Sequence, residues 1–231
     1  LRQRRVMILK TGAGRKQATR KVARAGIEPS VTYGVAVTGC ATMELDSLRT
    51  NTFKAVAASV AGRSRTLTLM LTPQLDPMIR ATLLPTMMLL RAAWENWLPQ
   101  HVIAYGMSCC QARSWSQVRG PFSAVRLTLE RVGWQVISAT TWRTHEGADL
   151  EVFELAPWLV KRILLRAVQA WQWREVGKRP GLEHLAEGGV IEPLIRMTTT
   201  GAVSRNGVFG KQSEVKLTPK ERGYITSLVT E

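Results

Sequence analysis

The segment opened by Pro157 constrains this chain most. Leu159, Ile163, Leu164, Ala167, Val168 and Trp171 recur on one helical face, and Gly177 supplies a stop. At 231 residues the chain can bury a proper hydrophobic core around such an element. A composition 45% hydrophobic and 21% charged is that of a globular protein.

Other elements are legible from their punctuation. The opening twenty-five residues read as a basic helix, broken near Gly12 and Gly14. A turn follows from Gly26, then the β-favouring Val31, Tyr33, Val35 and Val37. Thr42 is placed to cap a helix carrying Leu45, Leu48, Phe53, Val56 and Val60, with Gly62 as its stop. Asp76 and Pro77 form a cap and first-turn pair for a helix kinked or ended near Pro85. A second helix is expected through Leu89, Leu90, Ala93, Trp94 and Trp97 to Pro99. A less regular stretch holds Cys109, Cys110 and Trp115.

From Pro121 a helix with Phe122, Val125, Leu129 and Val132 ends at Gly133. The segments 134–138, 141–144 and 150–153 alternate as a small antiparallel sheet does, with a turn over Glu146 and Gly147. Beyond Pro180 the composition shifts to Gly, Thr and Ser, which marks a domain edge. Thr218 and Glu221 then resemble a capping box for a final helix. The expected fold class is α+β, mostly helical.

Charge narrows the choice of partner. Lys and Arg number 32 against 17 Asp and Glu, a formal net charge of +15. Such a balance favours polyanions, either nucleic acid or an acidic membrane surface. The cations are concentrated: residues 1–25 include Arg2, Arg4, Arg5, Lys10, Arg15, Lys16, Arg20, Lys21 and Arg24 with no acidic residue among them. A run of this kind repels itself until an anion lies beside it. Arg63 and Arg65 are placed to extend the same track.

No complete active site is evident. Two-metal nucleotidyl transfer gathers carboxylates around ions about 3.5–4 Å apart, whereas Asp46, Asp76 and Asp149 are separated and each fits a local role in a helix or turn. His101, His145 and His184 stand alone, and the neighbours Cys109 and Cys110 lack the Cys-x-x-Cys spacing of a zinc site. Lys16 is not followed by the Ser or Thr of a phosphate loop. No cofactor is implied.

Among the eight tryptophans, Trp94, Trp97 and Trp171 read as core residues. Trp115, between Arg113 and Arg119, is the better base-stacking candidate. Adjacent cysteines in an odd total point to a reducing intracellular compartment, nuclear or cytoplasmic. The most apolar segment, 83–98, is interrupted by Pro85, Arg91, Glu95 and Asn96, and reads as a core helix pair with no membrane span. Opening at Leu1 directly on a basic segment, the chain reads as a fragment.

The run Gly26-Ile27-Glu28-Pro29-Ser30-Val31-Thr32-Tyr33-Gly34 resembles a stretch downstream of the polymerase active site in LINE-type, non-LTR retrotransposon reverse transcriptases. In that family a basic helix precedes this turn, and a helix containing Leu-Arg, here Leu48 and Arg49, follows. The later helices from Asp76, through Trp94 and Trp97, from Gly120 and from Pro157 resemble protist-type copies in order, so the likeness spans roughly residues 1–195. It implies a thumb and connector that hold the template-primer duplex while a palm performs the chemistry.

The palm's aromatic-x-Asp-Asp motif, the Cys/His knuckle and the acidic ribonuclease H motif are missing here, so the resemblance implies a piece that binds without polymerising. Residues 1–118 would form a basic thumb-like helical region, 119–179 a connector with the small sheet and long helix, and 180–231 a poorly packed C-terminal segment. Its partners would be RNA or an RNA–DNA duplex and the parent protein's palm and ribonuclease H regions. Arg4, Arg5, Arg15, Lys16, Arg20, Lys21 and Arg24, with Arg63 and Arg65, would contact phosphates without reading sequence. The charge alone equally fits a protein-interaction module docking on an acidic partner.

Overall fold

A computed structural model describes residues 33–57 and 62–187, together with two short strands farther on. Seven α-helices appear among the described residues: α1 (Val35–Thr38), α2 (Thr42–Val56), α3 (Arg65–Met70), α4 (Pro77–Trp94), α5 (Gln100–Ser108), α6 (Pro121–Arg131) and α7 (Pro157–Gly177). Between α6 and α7 lies an antiparallel sheet in the order β1 (Gln135–Val136), β2 (Thr141–Arg143), β3 (Asp149–Glu151). Its register pairs Val136 with Trp142 and Trp142 with Leu150. Strands β4 (Ala202–Ser204) and β5 (Glu214–Lys216) pair antiparallel with each other. The mostly helical α+β class expected from the sequence is what the chain adopts.

One apolar cluster draws on α1, α2 and α4 to α7 and crosses residue 118. Val35 and Leu45 meet Met78, Leu90, Ile103, Val125, Leu129, Val160 and Leu164 there. Trp134 and Trp142, flanking and forming the sheet, are fully enclosed in the same cluster. A smaller cluster joins Leu67, Met70 and Leu71 to Trp173 and Val176 on α7, covered by Leu182 and Leu185. A 3-10 turn, Glu183–Glu187, thus lies on α7 beyond the composition change at Pro180.

Helix α6 shows how sequence punctuation becomes geometry. Pro121 occupies its first turn, where a missing N–H costs nothing. At its other end Gly133 adopts φ +88°, and two bonds close a Schellman motif: Trp134 N–H donates to the Leu129 carbonyl and Gly133 N–H to that of Glu130, both at 3.0 Å. The accompanying apolar contact is supplied by Leu129 and Trp134, both fully buried.

Several local expectations are overturned. The β-favouring run ending in Val37 gives the single helical turn α1, bracketed by Gly34 at φ +83° and Gly39 at φ +67°. The Gly34 carbonyl accepts from the N–H groups of Val37 and Thr38, and this local ring displaces an extended segment with no strand beside it among the described residues. Thr42 is the first residue of α2 and not its cap. Ala41 holds that position, and the helix ends at Val56, short of Gly62. Helix α3 forms where the sequence suggested no element, and α5 at the start of the stretch expected to be less regular, each through buried side chains: Leu67, Leu69 and Met70 in one, Ile103 and Met107 in the other.

Pro85 does not divide the expected pair into two helices; α4 runs through it as one element. An internal Pro costs about 3 kcal/mol. Burying Met78, Leu89 and Leu90 along one face contributes about 1.5–3 kcal/mol each, so packing outweighs the break. The helix stops where Asn96 takes φ 54°, and this turn leaves Trp94 and Trp97, expected in the core, 54% and 71% exposed.

Gly177 provides a test of the packing over α7. A Cβ added there would lie 2.4 Å from the Ala186 Cβ and 2.8 Å from its Cα. Ala gains about 1 kcal/mol of helix propensity over Gly, but overpacking costs about 1–3 kcal/mol. G177A is therefore expected to lower stability in urea unfolding and to raise proteolytic cleavage within 182–187. A stabilised variant would contradict the packing.

Candidate nucleic-acid interface

Arg4, Arg5, Arg15, Lys16, Arg20, Lys21 and Arg24 lie outside the described residues, as do the turn from Gly26 to Thr32 and the capping box from Thr218. The two remaining cations of the expected track are placed. Arg63 is half-buried, directly before Ser64, whose hydroxyl accepts from the Leu67 N–H and caps α3. Arg65 opens α3 and turns back to α2, where its guanidinium donates to Asp46 Oδ1 at 2.5 Å and to Thr50 Oγ1 at 2.6 Å.

The Arg65 guanidinium holds the Asp46 carboxyl below its ordinary range. A depressed folded-state pKa contributes stability above the unfolded value, and that contribution disappears as the pH falls through the folded value. With the Asp46 side chain 59% exposed, the pair is worth less than about 1 kcal/mol. D46N is accordingly expected to lose this small increment at pH 7 and to match the parent once the pH drops below the usual carboxylate range, as read by urea unfolding at several pH values.

Trp115, the expected stacking residue, is occupied within the protein. The Arg131 guanidinium lies 4.5 Å from its ring centroid, and a Cβ on Gly39 would fall 2.6 Å from its ring edge. Arg131 also donates to the Cys40 carbonyl, and burial pushes its guanidinium down to about 10, so it remains charged at neutral pH. This group of residues clamps the α1–α2 corner to α6, occupying one face of the half-buried indole.

An exposed cationic row is instead formed on α7. At 3.6 residues per turn, Trp158, Lys161, Arg162, Arg166 and Gln169 share an arc of about 140° opposite the buried Val160, Leu164 and Ala167. All five are exposed, and Trp158 is 61% accessible. None of the three cations makes a hydrogen bond or ion pair with a described residue. The acid closest ahead of the row is the exposed Glu154, one turn before Trp158. Glu175, near the other end, is engaged by Lys178 at 2.5 Å.

The row missed by the sequence reading has a signature: cations at 162 and 166, one turn apart and without an acid at the intervening helical positions. Three unneutralised charges within about 8 Å of helix, rising 1.5 Å per residue, form a surface suited to phosphates.

The remaining chemistry is sparse. Cys40 and Cys110 are buried, Cys109 is exposed, and none of the three is in a disulfide. Among the described residues there is no group of three His, Cys, Asp or Glu able to hold a metal ion. No helix among the described residues is long and apolar enough to cross a membrane. Comparison with protein-family models, with curated proteins and with solved structures finds no significant match.

Proposed function

We propose that this chain is a non-catalytic portion of a LINE-type reverse transcriptase-related protein and binds nucleic acid through phosphate contacts. The observation that carries the binding is the cationic row on α7, where Lys161, Arg162 and Arg166 have no acidic partner among the described residues. The acid-free basic segment of residues 1–25 adds to the same charge. Helices opening at Pro77, Pro121 and Pro157 support the relationship by order alone.

In this reading the basic segment holds the template-primer duplex while a palm and ribonuclease H region elsewhere in the parent protein perform the chemistry. Three cysteines outside any disulfide fit a reducing nuclear or cytoplasmic setting.

The experiment is a salt titration of the full chain against duplex RNA, an RNA–DNA hybrid, polyglutamate and anionic lipid vesicles. Counterion release makes log affinity for nucleic acid fall linearly with log salt, by about 0.9 for each phosphate neutralised on a duplex. The expected result is tight, steeply salt-dependent binding to both nucleic acids and much weaker binding to the other two. Equal or tighter binding to polyglutamate would favour docking on an acidic protein, and preference for the vesicles would favour a membrane surface. Either outcome overturns the proposal.

A further inference from the structure

The α7 row contains more than charge. Trp158 stands one helical turn before Arg162 and two before Arg166, so an exposed indole is aligned with the cations. Trp134 and Trp142, which share a core cluster with Val160 and Leu164 of α7, are fully buried. Trp158 remains 61% exposed, although Val160 two residues on reaches the core with no accessible surface. Its indole is therefore available to a ligand at the end of a phosphate-binding row.

We infer that the α7 face is a site for unpaired nucleic acid, with Trp158 as a base-stacking platform and Lys161, Arg162 and Arg166 as backbone contacts. This inference rests on the nucleic-acid reading above. Duplex bases are stacked on each other and offer no free π-face to a side chain on the outside. An unpaired strand offers one at every nucleotide, and stacking of this kind tolerates any base. The charges hold the backbone of either form, so only the aromatic residue distinguishes unpaired from paired strands.

The test uses the full chain with oligo-uridylate, oligo-thymidylate and a duplex of the same length. W158A is expected to weaken binding to both single strands by roughly 5- to 150-fold, the range of a lost base stack of about 1–3 kcal/mol. Its duplex affinity and salt slope should be unchanged. W158F should recover part of the loss, because it retains an aromatic face, and should lose the fluorescence quenching that a stacked indole gives the parent on single strands.

Thermal melts of both variants should match the parent, as expected for an exposed position. If W158A binds single strands like the parent while duplex binding persists, the stacking assignment is overturned and the nucleic-acid reading stands. If the parent binds neither single strand nor duplex, that reading fails as well. Equal losses on single strand and duplex would assign Trp158 to general packing of the face and would also overturn the inference.

Discussion

D76A is expected to destabilise the fold by about 3–5 kcal/mol, the usual consequence of removing one partner from a buried ion pair. Asp76 is fully buried and its carboxylate is saturated by four donors. Oδ1 accepts from Arg49 Nε at 3.1 Å and from the Met78 N–H at 3.0 Å. Oδ2 accepts from Arg49 Nη2 at 3.3 Å and from Gln172 Nε2 at 2.7 Å. The Arg49 guanidinium also lies 4.9 Å from the Trp171 ring centroid, so one side chain links α2 to both α4 and α7.

Truncating Asp76 leaves the Arg49 charge, 2% exposed, without its counter-ion in a region that water does not reach. It also removes the α4 cap, worth about 1 kcal/mol by itself. Urea unfolding should show a lowered midpoint at unchanged slope, with the melting temperature down by roughly 10 °C. The double variant R49M/D76L should recover much of the loss, because apolar replacement of both partners removes the uncompensated charge. A loss below about 1 kcal/mol in D76A would show that the network is not a structural centre.

The second large effect is on binding. The triple charge reversal K161E/R162E/R166E should weaken affinity for duplex and single-stranded nucleic acid on the order of a hundredfold at low salt. It should also flatten the duplex salt slope by up to about 2.7, corresponding to three lost phosphate contacts. Lys, Arg and Glu have similar helix propensities, and the positions are exposed, so the circular dichroism spectrum and melt should be preserved.

Replacing Arg15, Lys16, Arg20 and Lys21 with Ala separates the basic segment from the α7 face. Loss confined to that quadruple variant would assign binding to the segment and leave the α7 row without a role. Loss confined to the triple reversal would assign it to α7. Comparable losses in both would mean that the two surfaces track one ligand.

Elements whose ends carry their own instructions were legible before any tertiary contact was known. Pro121 and Gly133 mark α6, and Pro157 opens α7, because a proline without N–H suits a first turn and the left-handed Gly133 ends a helix locally; the expected stop Gly177 is itself the last residue of α7, followed by Lys178 in the right-handed region. The alternating segments that became β1–β3 are legible for the same reason, since a period of two fits only a strand.

Tertiary packing decided the rest. Propensity near Val35 and Val37 favours a strand, but without a described neighbour to pair with, the backbone bonds close on themselves in α1. Pro85 breaks helices in isolation, whereas here burial along α4 carries the helix through it.

Charge divides in the same way. The sequence by itself determined a strong excess of cations and a mostly helical chain, because composition and period are local properties. Which cations face solvent unpaired was decided only by the fold. Arg49 is enclosed against Asp76, Arg65 is turned onto Asp46, and Arg131 is stacked on Trp115. Lys161, Arg162 and Arg166 are left outward because the apolar face of α7 is the one that the core takes. Desolvating a charge is costly unless a partner accompanies it, so the positions of distant acids and aromatic rings, brought near only by folding, sort structural arginines from those available to a ligand.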